Sequence, residues 1–362
     1  MPVPDLRRMA IRAVLVAFTL IVAACHHPSK QAGKNGPTPL RLELPAWAIA
    51  DTSLRLDFPF DNPLTVEGAA LGRMLFHEKA LSADGSLSCA SCHVQRFAFA
   101  DSARFSEGMS GQRTTRNSMP IMNLAWDHFF FWDARALSLE LQAFEPVTAH
   151  REMASRWSEV GDRLAQDKRY PPLFAAAFGH ARIDSLRIAF ALAQFERTLV
   201  SLDSRFDRYF HLKEADALNA QEMRGKDLFF TRAHCVDCHE PPLFKGHHVV
   251  NIGLDSLSSD PGMGGRTGMP WHQGRFKTPS LRNIDVTAPY MHDGRFATLE
   301  EVIDFYADDV NTASPTLDEH MFPWRKGEVR LSKQDRTDLA AFLRALTDSA
   351  FLVNARFAPD DR

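Results

Sequence analysis

The sequence predicts a mainly α-helical protein built from two similar halves, and three observations carry that prediction. Apolar residues recur at helical period, and no alternating strand series runs through the chain. The string Cys-x-x-Cys-His occurs twice, as Cys89/Cys92/His93 and Cys235/Cys238/His239, 146 residues apart. Around each string, similar blocks recur in the same order. The chain has 362 residues, a formal net charge of −3, 24% charged residues and 45% hydrophobic residues. Those figures suit about two domains of ordinary size and exclude a largely disordered chain. The absence of a basic surplus argues against nucleic acid as a partner.

The first element is a targeting segment. Arg7, Arg8 and Arg12 precede an apolar run over residues 13–24, about half of the roughly 20 residues a spanning helix needs. It reads as a secretory signal. Val22-Ala23-Ala24-Cys25 resembles the lipobox of bacterial lipoproteins, whose Cys is lipidated and becomes the new N-terminus. This would explain the one Cys outside the two strings; the alternative is an ordinary signal with a chance Cys. Residues 1–24 are therefore expected to be removed, taking the charge from −3 to −5, and Cys25 to carry a lipid anchor. Residues 25–45, rich in Pro and Gly, are expected to form a flexible tether.

The two halves follow. Gly72-Arg73-Met74-Leu75-Phe76 precedes the first Cys pair and Gly225-Lys226-Asp227-Leu228-Phe229 the second, each late in a helix-like segment. Phe195-x-Arg197-x-Leu199 closes the first half and Phe342-x-Arg344-x-Leu346 the second. A Gly four residues before an aromatic lets one helix cross another closely, as in small cytochromes c, so each half resembles one cytochrome c domain. The expected domains are 46–202 and 203–362. In an exported chain, Cys-x-x-Cys-His reads as c-type haem attachment: two thiols add to the vinyl groups and the adjoining His reaches the iron. A single string could be a zinc half-site; two, both ending in His, favour two c-type haems.

Further blocks narrow the reading. They are Leu71–Phe76, the run from Leu81 to His93, Arg116-Asn117 and Phe131-Trp132-Asp133-Ala134-Arg135-Ala136. In the second half come Lys277-Thr278-Pro279-Ser280-Leu281-Arg282-Asn283 and Thr287-Ala288-Pro289-Tyr290-Met291-His292-Asp293-Gly294. Their order, over roughly residues 60–350, resembles the bacterial di-haem cytochrome c peroxidases and the MauG-type proteins that mature methylamine dehydrogenase.

That resemblance implies roles. His93 and His239 would ligate the two irons. Glu152 would serve as acid and base in O–O cleavage at the first haem, Gln142 assisting, and Trp132 would lie between the haems. Where many relatives carry a capping His, the matching position is Met109; the haem is either capped by its thioether or already open, and the glycine-flanked loop favours the open form. Where the peroxidases carry a Met ligand, fourteen residues beyond His292, this chain has Tyr306. A phenolate there, as in the MauG type, favours oxidised iron; Met291 is the rival ligand. Thr298 and Glu301 form a capping-box pattern from which Leu299, Val302, Ile303 and Tyr306 follow at helical spacing. The resemblance also implies one Ca²⁺ held by Asn117, Thr287 and Pro289, an oxygen-rich set suited to a weak extracellular site.

The implied activity is periplasmic reduction of hydrogen peroxide at the first haem. Electrons would arrive through the second from a small periplasmic donor such as a cytochrome c or copper protein. The runner-up is a MauG-like oxidase acting on a protein or small organic substrate, and a third class is a plain di-haem electron carrier, which Gln142 and Glu152 oppose. A homodimer is left open.

Overall fold

The computed structural model describes residues 36–359. The signal segment and Cys25 lie outside the described residues, and one compact body runs from Pro37 onward. Its first half holds α1 (Ala46–Ala50), α2 (Val66–Phe76), α3 (Cys89–Cys92), α4 (Leu139–Thr148), α5 (Trp157–Gln166), α6 (Tyr170–Phe178) and α7 (Ser185–Arg197). Then follow α8 (Arg205–Phe210), α9 (Ala220–Phe229), α10 (Met263–Thr267), α11 (Leu299–Asp304), α12 (Phe322–Arg325), α13 (Lys333–Arg344) and α14 (Ser349–Leu352). β1 (Val249–Val250) and β2 (Phe276–Lys277) pair antiparallel, Val249 opposite Lys277. No described helix is long and apolar enough to cross a membrane.

Local chemistry starts the main helices. Thr65 Oγ1 accepts from Gly68 N at 3.1 Å to begin α2, and the Asp184 side chain accepts from Arg187 N to begin α7. Reciprocal capping boxes, Asn219 with Glu222 and Ser332 with Asp335, begin α9 and α13.

Each half is organised by one helix crossing, and the two crossings repeat each other atom for atom. A Cβ on Gly72 would lie 1.9 Å from the Ala191 carbonyl oxygen and 2.8 Å from Phe195 Cβ. A Cβ on Gly225 would lie 1.9 Å from the Asp338 carbonyl oxygen and 2.8 Å from Phe342 Cβ. Only a residue without Cβ permits that approach. The aromatic four residues later completes each contact: Phe76 meets Phe195 and Phe229 meets Phe342, both at 5.3 Å between ring centroids. All four rings are buried, each contributing about 1.5–3 kcal/mol by removal from water.

Two hydrophobic cores result, one drawn mainly from residues 71–199 and the other from 206–346. They share a polar seam in which Asp127 is clamped between the ammonium groups of Lys245 and Lys277, all three buried. Burial would penalise each charge alone; the alternation of sign relieves it.

The structure departs from the sequence expectation in two places. From Thr38 onward the expected tether is docked: Thr38 N and Oγ1 donate to the Glu67 carboxylate at 2.7 and 2.8 Å, and Leu40 N to Leu64 O at 3.0 Å. Residues 37–45 therefore belong to the body. At the other end, residues assigned to the second half return to the first core. Phe351 and Phe357 meet Phe99 at 5.7 and 6.1 Å, and Gln95 Nε2 donates to the carbonyls of Phe351 and Asn354.

Candidate active site

A cavity of ≈ 690 Å³ opens in the first half, its wall including Cys89, Cys92, His93, Gln142 and Glu152, a size within the roughly 300–1,000 Å³ typical of ligand sites. A second, of ≈ 200 Å³ and largely apolar, is lined by Cys235, Cys238, His239, Tyr306 and Met291. Trp132 lines both cavities. Its indole N–H donates to Asn117 O at 2.8 Å, and its own carbonyl accepts from Lys277 N at 2.7 Å, so the ring is fixed at the seam.

Both cavities are lined by the Cys and His residues that would attach a haem. All four thiols are free of disulfides. His93 Nδ1 donates to Phe99 O at 2.7 Å, and His239 Nδ1 to Pro279 O at 3.1 Å. The Nδ1–H is committed in each ring, leaving Nε2 as the basic nitrogen for iron. Burial lowers the proton affinity of both imidazoles, His239 to about 4, so each is neutral as ligation requires. Burial also pushes Cys92 up to about 11 and raises Cys89, keeping the thiols protonated.

The first cavity brings Gln142 and Glu152 onto one wall. Ser138 caps α4 by accepting from Leu141 N. Pro146 then removes a backbone donor within the helix, and the chain leaves it at Ala149. Gln142 thus sits near the start of α4, one turn before Pro146, whereas Glu152 lies in the turn that follows the helix and not on it. Glu152's backbone is pinned from across the cavity, its carbonyl accepting from Met109 N at 2.8 Å. Burial raises the pKa of the Glu152 carboxyl, Arg135 opposing and Glu145 reinforcing the shift. Met109 is absent from the cavity wall, which takes Ser106, Glu107 and Gly108 from that loop. Gly108 packs against the Arg151 carbonyl so closely that a Cβ would lie 2.0 Å from its oxygen.

Sequence reasoning assigned no role to Arg135, although it stands in the Phe-Trp-Asp-Ala-Arg block. It lies 3.5 Å over the Phe131 ring, pairs with Asp133 and Glu145 at 2.9 and 2.6 Å, and lines the first cavity. Arg116 joins Asp133 to Asp260, both at 2.7 Å. The first cavity is therefore rich in fixed charge; the second is not.

Tyr306 lines the second cavity from an unexpected backbone. The Thr298/Glu301 capping box starts α11 as the pattern requires, but residues Phe305–Asp309 widen into a π turn. Such turns re-aim a side chain that regular spacing would send elsewhere. The Tyr306 hydroxyl makes no hydrogen bond among the described residues, and burial raises its pKa. Trp324 Nε1 donates to Tyr306 O at 2.6 Å. Met291, held at φ 73, and Met321 line the same cavity.

Asn117, Thr287 and Pro289 also line the second cavity. Asn117 Nδ2 donates to the carbonyls of Ala103 and Arg104 at 3.3 and 3.2 Å, which directs Oδ1 away from them. The carbonyls of Thr287 and Pro289 accept no hydrogen bond among the described residues. These oxygens are thus uncommitted among the described residues.

Two Cys-x-x-Cys-His cavities on one helical body, the first also lined by Gln142 and Glu152, are the arrangement expected of a di-haem redox protein. A family model described as di-haem cytochrome c peroxidase matches residues 66–215. The methylamine utilization protein MauG of Methylorubrum extorquens is 40% identical over 294 residues, 80% of each chain. The cytochrome c551 peroxidase of Nitrosomonas europaea is 35% identical, over 79% of this chain and 81% of that protein. A crystal structure of a MauG-like protein associated with microbial copper homeostasis superposes with a TM-score of 0.80 at 34% identity, covering 89% of this chain and all of that one. The chain belongs to the di-haem cytochrome c peroxidase family, and it is an oxidoreductase of the cytochrome-c peroxidase type. Membership implies two c-type haems.

Proposed function

We propose that this protein reduces hydrogen peroxide to water in the first cavity, with electrons passing from a small periplasmic donor through the second. Two domains, split near residue 203, would each carry one haem, on Cys89/Cys92/His93 and Cys235/Cys238/His239. The carrying observation is that Glu152 and Gln142 share a wall with the first attachment set. Bound haem would supply the redox-active iron. Reduction of one peroxide to two waters takes up two electrons and two protons. Glu152 would move a proton from one peroxide oxygen to the other, so that the departing oxygen leaves as water. Gln142, with a neutral amide, would orient the peroxide without competing for the proton. Trp132, common to both cavity walls, would carry electrons between them, and a Ca²⁺ held by Asn117, Thr287 and Pro289 would fix the loops on both sides of it. The secretory signal and Cys25 support a periplasmic, lipid-tethered setting.

A second reading has a specific observation behind it. Tyr306 with an uncommitted hydroxyl in the second cavity, together with 40% identity to a MauG protein, favours an oxidase that withdraws electrons from a protein or organic substrate. Mixing the diferric protein with H₂O₂ and then with reduced cytochrome c separates the two. Rapid, stoichiometric cytochrome oxidation supports the peroxidase; peroxide-driven spectral change with no turnover of the donor supports the oxidase. No reaction with peroxide refutes both.

A further inference from the structure

One buried acid in the first cavity has no part in that scheme. Glu196 sits on α7, 5% exposed, and lines the cavity on the side of Cys89. Its side chain makes no hydrogen bond and no ion pair among the described residues. The neighbouring Arg197 cannot serve it, being paired with Glu140 at 2.7 Å, where both side chains are under a tenth exposed. Glu140 takes a second donor as well, Asn62 Nδ2 at 2.6 Å. Two carboxyl groups and one guanidinium thus lie close together, Glu196 alone of the three on the cavity wall, and the guanidinium is paired with the other carboxyl.

No packed neighbour supplies another cation. On α2, Glu67 is bound to Thr38 and Arg73 donates to Ala358 O. On α5, Arg163 is spent on the carbonyls of Ala80 and Ser82 and on Ser155. α6 presents Tyr170, which donates to Glu78. Across the cavity stand Glu152 and Arg135, the latter held by Asp133 and Glu145. Glu196 is therefore held as the neutral acid, its pKa pushed up to about 8 by burial, with Arg197 opposing and Glu140 reinforcing.

We infer that Glu196 is the redox-linked protonation site of the first cavity, releasing a proton when the haem attached there loses an electron and recovering it when the electron returns. The inference rests on the reading that Cys89, Cys92 and His93 carry a haem. The electron goes to a one-electron acceptor, the electrode mediator in the titration below; the Glu196 O–H bond breaks and its proton passes to water in the cavity. The cause is Coulombic. Oxidation adds one positive charge beside a buried carboxyl, which stabilises the carboxylate and lowers the acid's pKa; reduction removes that charge and restores it. The site then keeps the same net charge in both redox states, and the first haem's potential must fall as pH rises.

The test is spectroelectrochemical titration of the full-length holoprotein from about pH 6 to about pH 9, around the documented range for buried glutamates. The wild type is expected to show a first-haem potential that falls with pH, approaching one proton per electron, which is 59 mV per tenfold change for a one-electron couple. Glu196→Gln should lose that slope, and Glu152→Gln should keep it. A flat wild-type titration, or an undiminished slope in Glu196→Gln, overturns the inference, as does a slope lost only in Glu152→Gln. Redox-triggered infrared difference spectra of the wild type need no variant: a protonated carboxyl band must disappear on oxidation, and its persistence also overturns the inference. A pyridine haemochrome assay finding no haem on Cys89/Cys92 would instead refute the underlying reading.

Discussion

Replacing Gly225 by Ala tests the helix crossing that organises the second half. The added Cβ would lie 1.9 Å from the Asp338 carbonyl oxygen, 2.5 Å from its carbon and 2.8 Å from Phe342 Cβ, where real contacts stay above 3.0 Å. The obstruction is backbone, so no rotamer relieves it. α9 and α13 must separate by about 1 Å, a gap that forfeits roughly a quarter to a half of the dispersion attraction across the contact. Overpacking of this kind costs about 1–3 kcal/mol, occasionally more; Ala returns about 1 kcal/mol of helix propensity. Because the obstruction is backbone and lies at 1.9 Å, the cost falls at the upper end of that range, about 3 kcal/mol, and a net loss of about 2 kcal/mol is expected in urea unfolding followed by far-ultraviolet circular dichroism. Gly161→Ala is the control: it lies inside α5, its nearest neighbour, Ile183 O, is 3.5 Å away, and a gain of about 0.4–1 kcal/mol is expected. If Gly225→Ala stays within about 0.5 kcal/mol of wild type, a difference typical of neutral surface changes, close approach is not the reason for glycine there.

Three further outcomes are expected. Cys89→Ala and Cys235→Ala should each reduce the pyridine haemochrome count from two haems per chain, and a wild type with fewer than two would contradict the attachment scheme. Glu152→Gln should retain both haems and lose roughly 10²-fold or more in peroxide turnover; because burial raises the Glu152 pKa and the carboxylate is the form that accepts a proton, wild-type turnover should decline as pH falls through a value above the ordinary 4.5, a limb the variant lacks. Tyr306→Phe should alter the electron paramagnetic resonance signal of the second haem only, whereas an unchanged signal, or a thioether-to-iron band in the wild type, assigns the ligand to Met291 or Met321.

Much of this was legible in the sequence because it repeats. Gly72 with Phe76 and Gly225 with Phe229 keep the same four-residue spacing ahead of their Cys pairs, and the structure gives both crossings the same contacts. The start of α11 was legible because a capping box is a local device. Its end was not: a π turn at Phe305–Asp309 inserts backbone without changing the apolar spacing that sequence records. Pro146 was a readable signal that α4 must end before Glu152. Glu196 was illegible for another reason, since it owes its character to a neighbour distant in the chain, Glu140; the partners of Arg135, namely Phe131, Asp133 and Glu145, are close in sequence but are brought to it by irregular backbone that no periodicity records. The docked residues 37–45 read as a tether because Pro and Gly mark irregular backbone, not whether that backbone finds partners.

The return of Phe351 and Phe357 to the first core sets an order of events during synthesis. A nascent chain emerges N-terminus first, so Cys89 and Cys92 are available long before the rings that close over Phe99 exist. Until residue 357 has been made and delivered, the first half lacks part of its own interior, while the second, drawn from residues 206–346, is already whole. The earlier-made half is thus the later to mature, which leaves a period in which its cysteines stay accessible to the machinery that attaches haem. Cutting the chain after Leu346 should accordingly harm the half that lies farthest away in sequence.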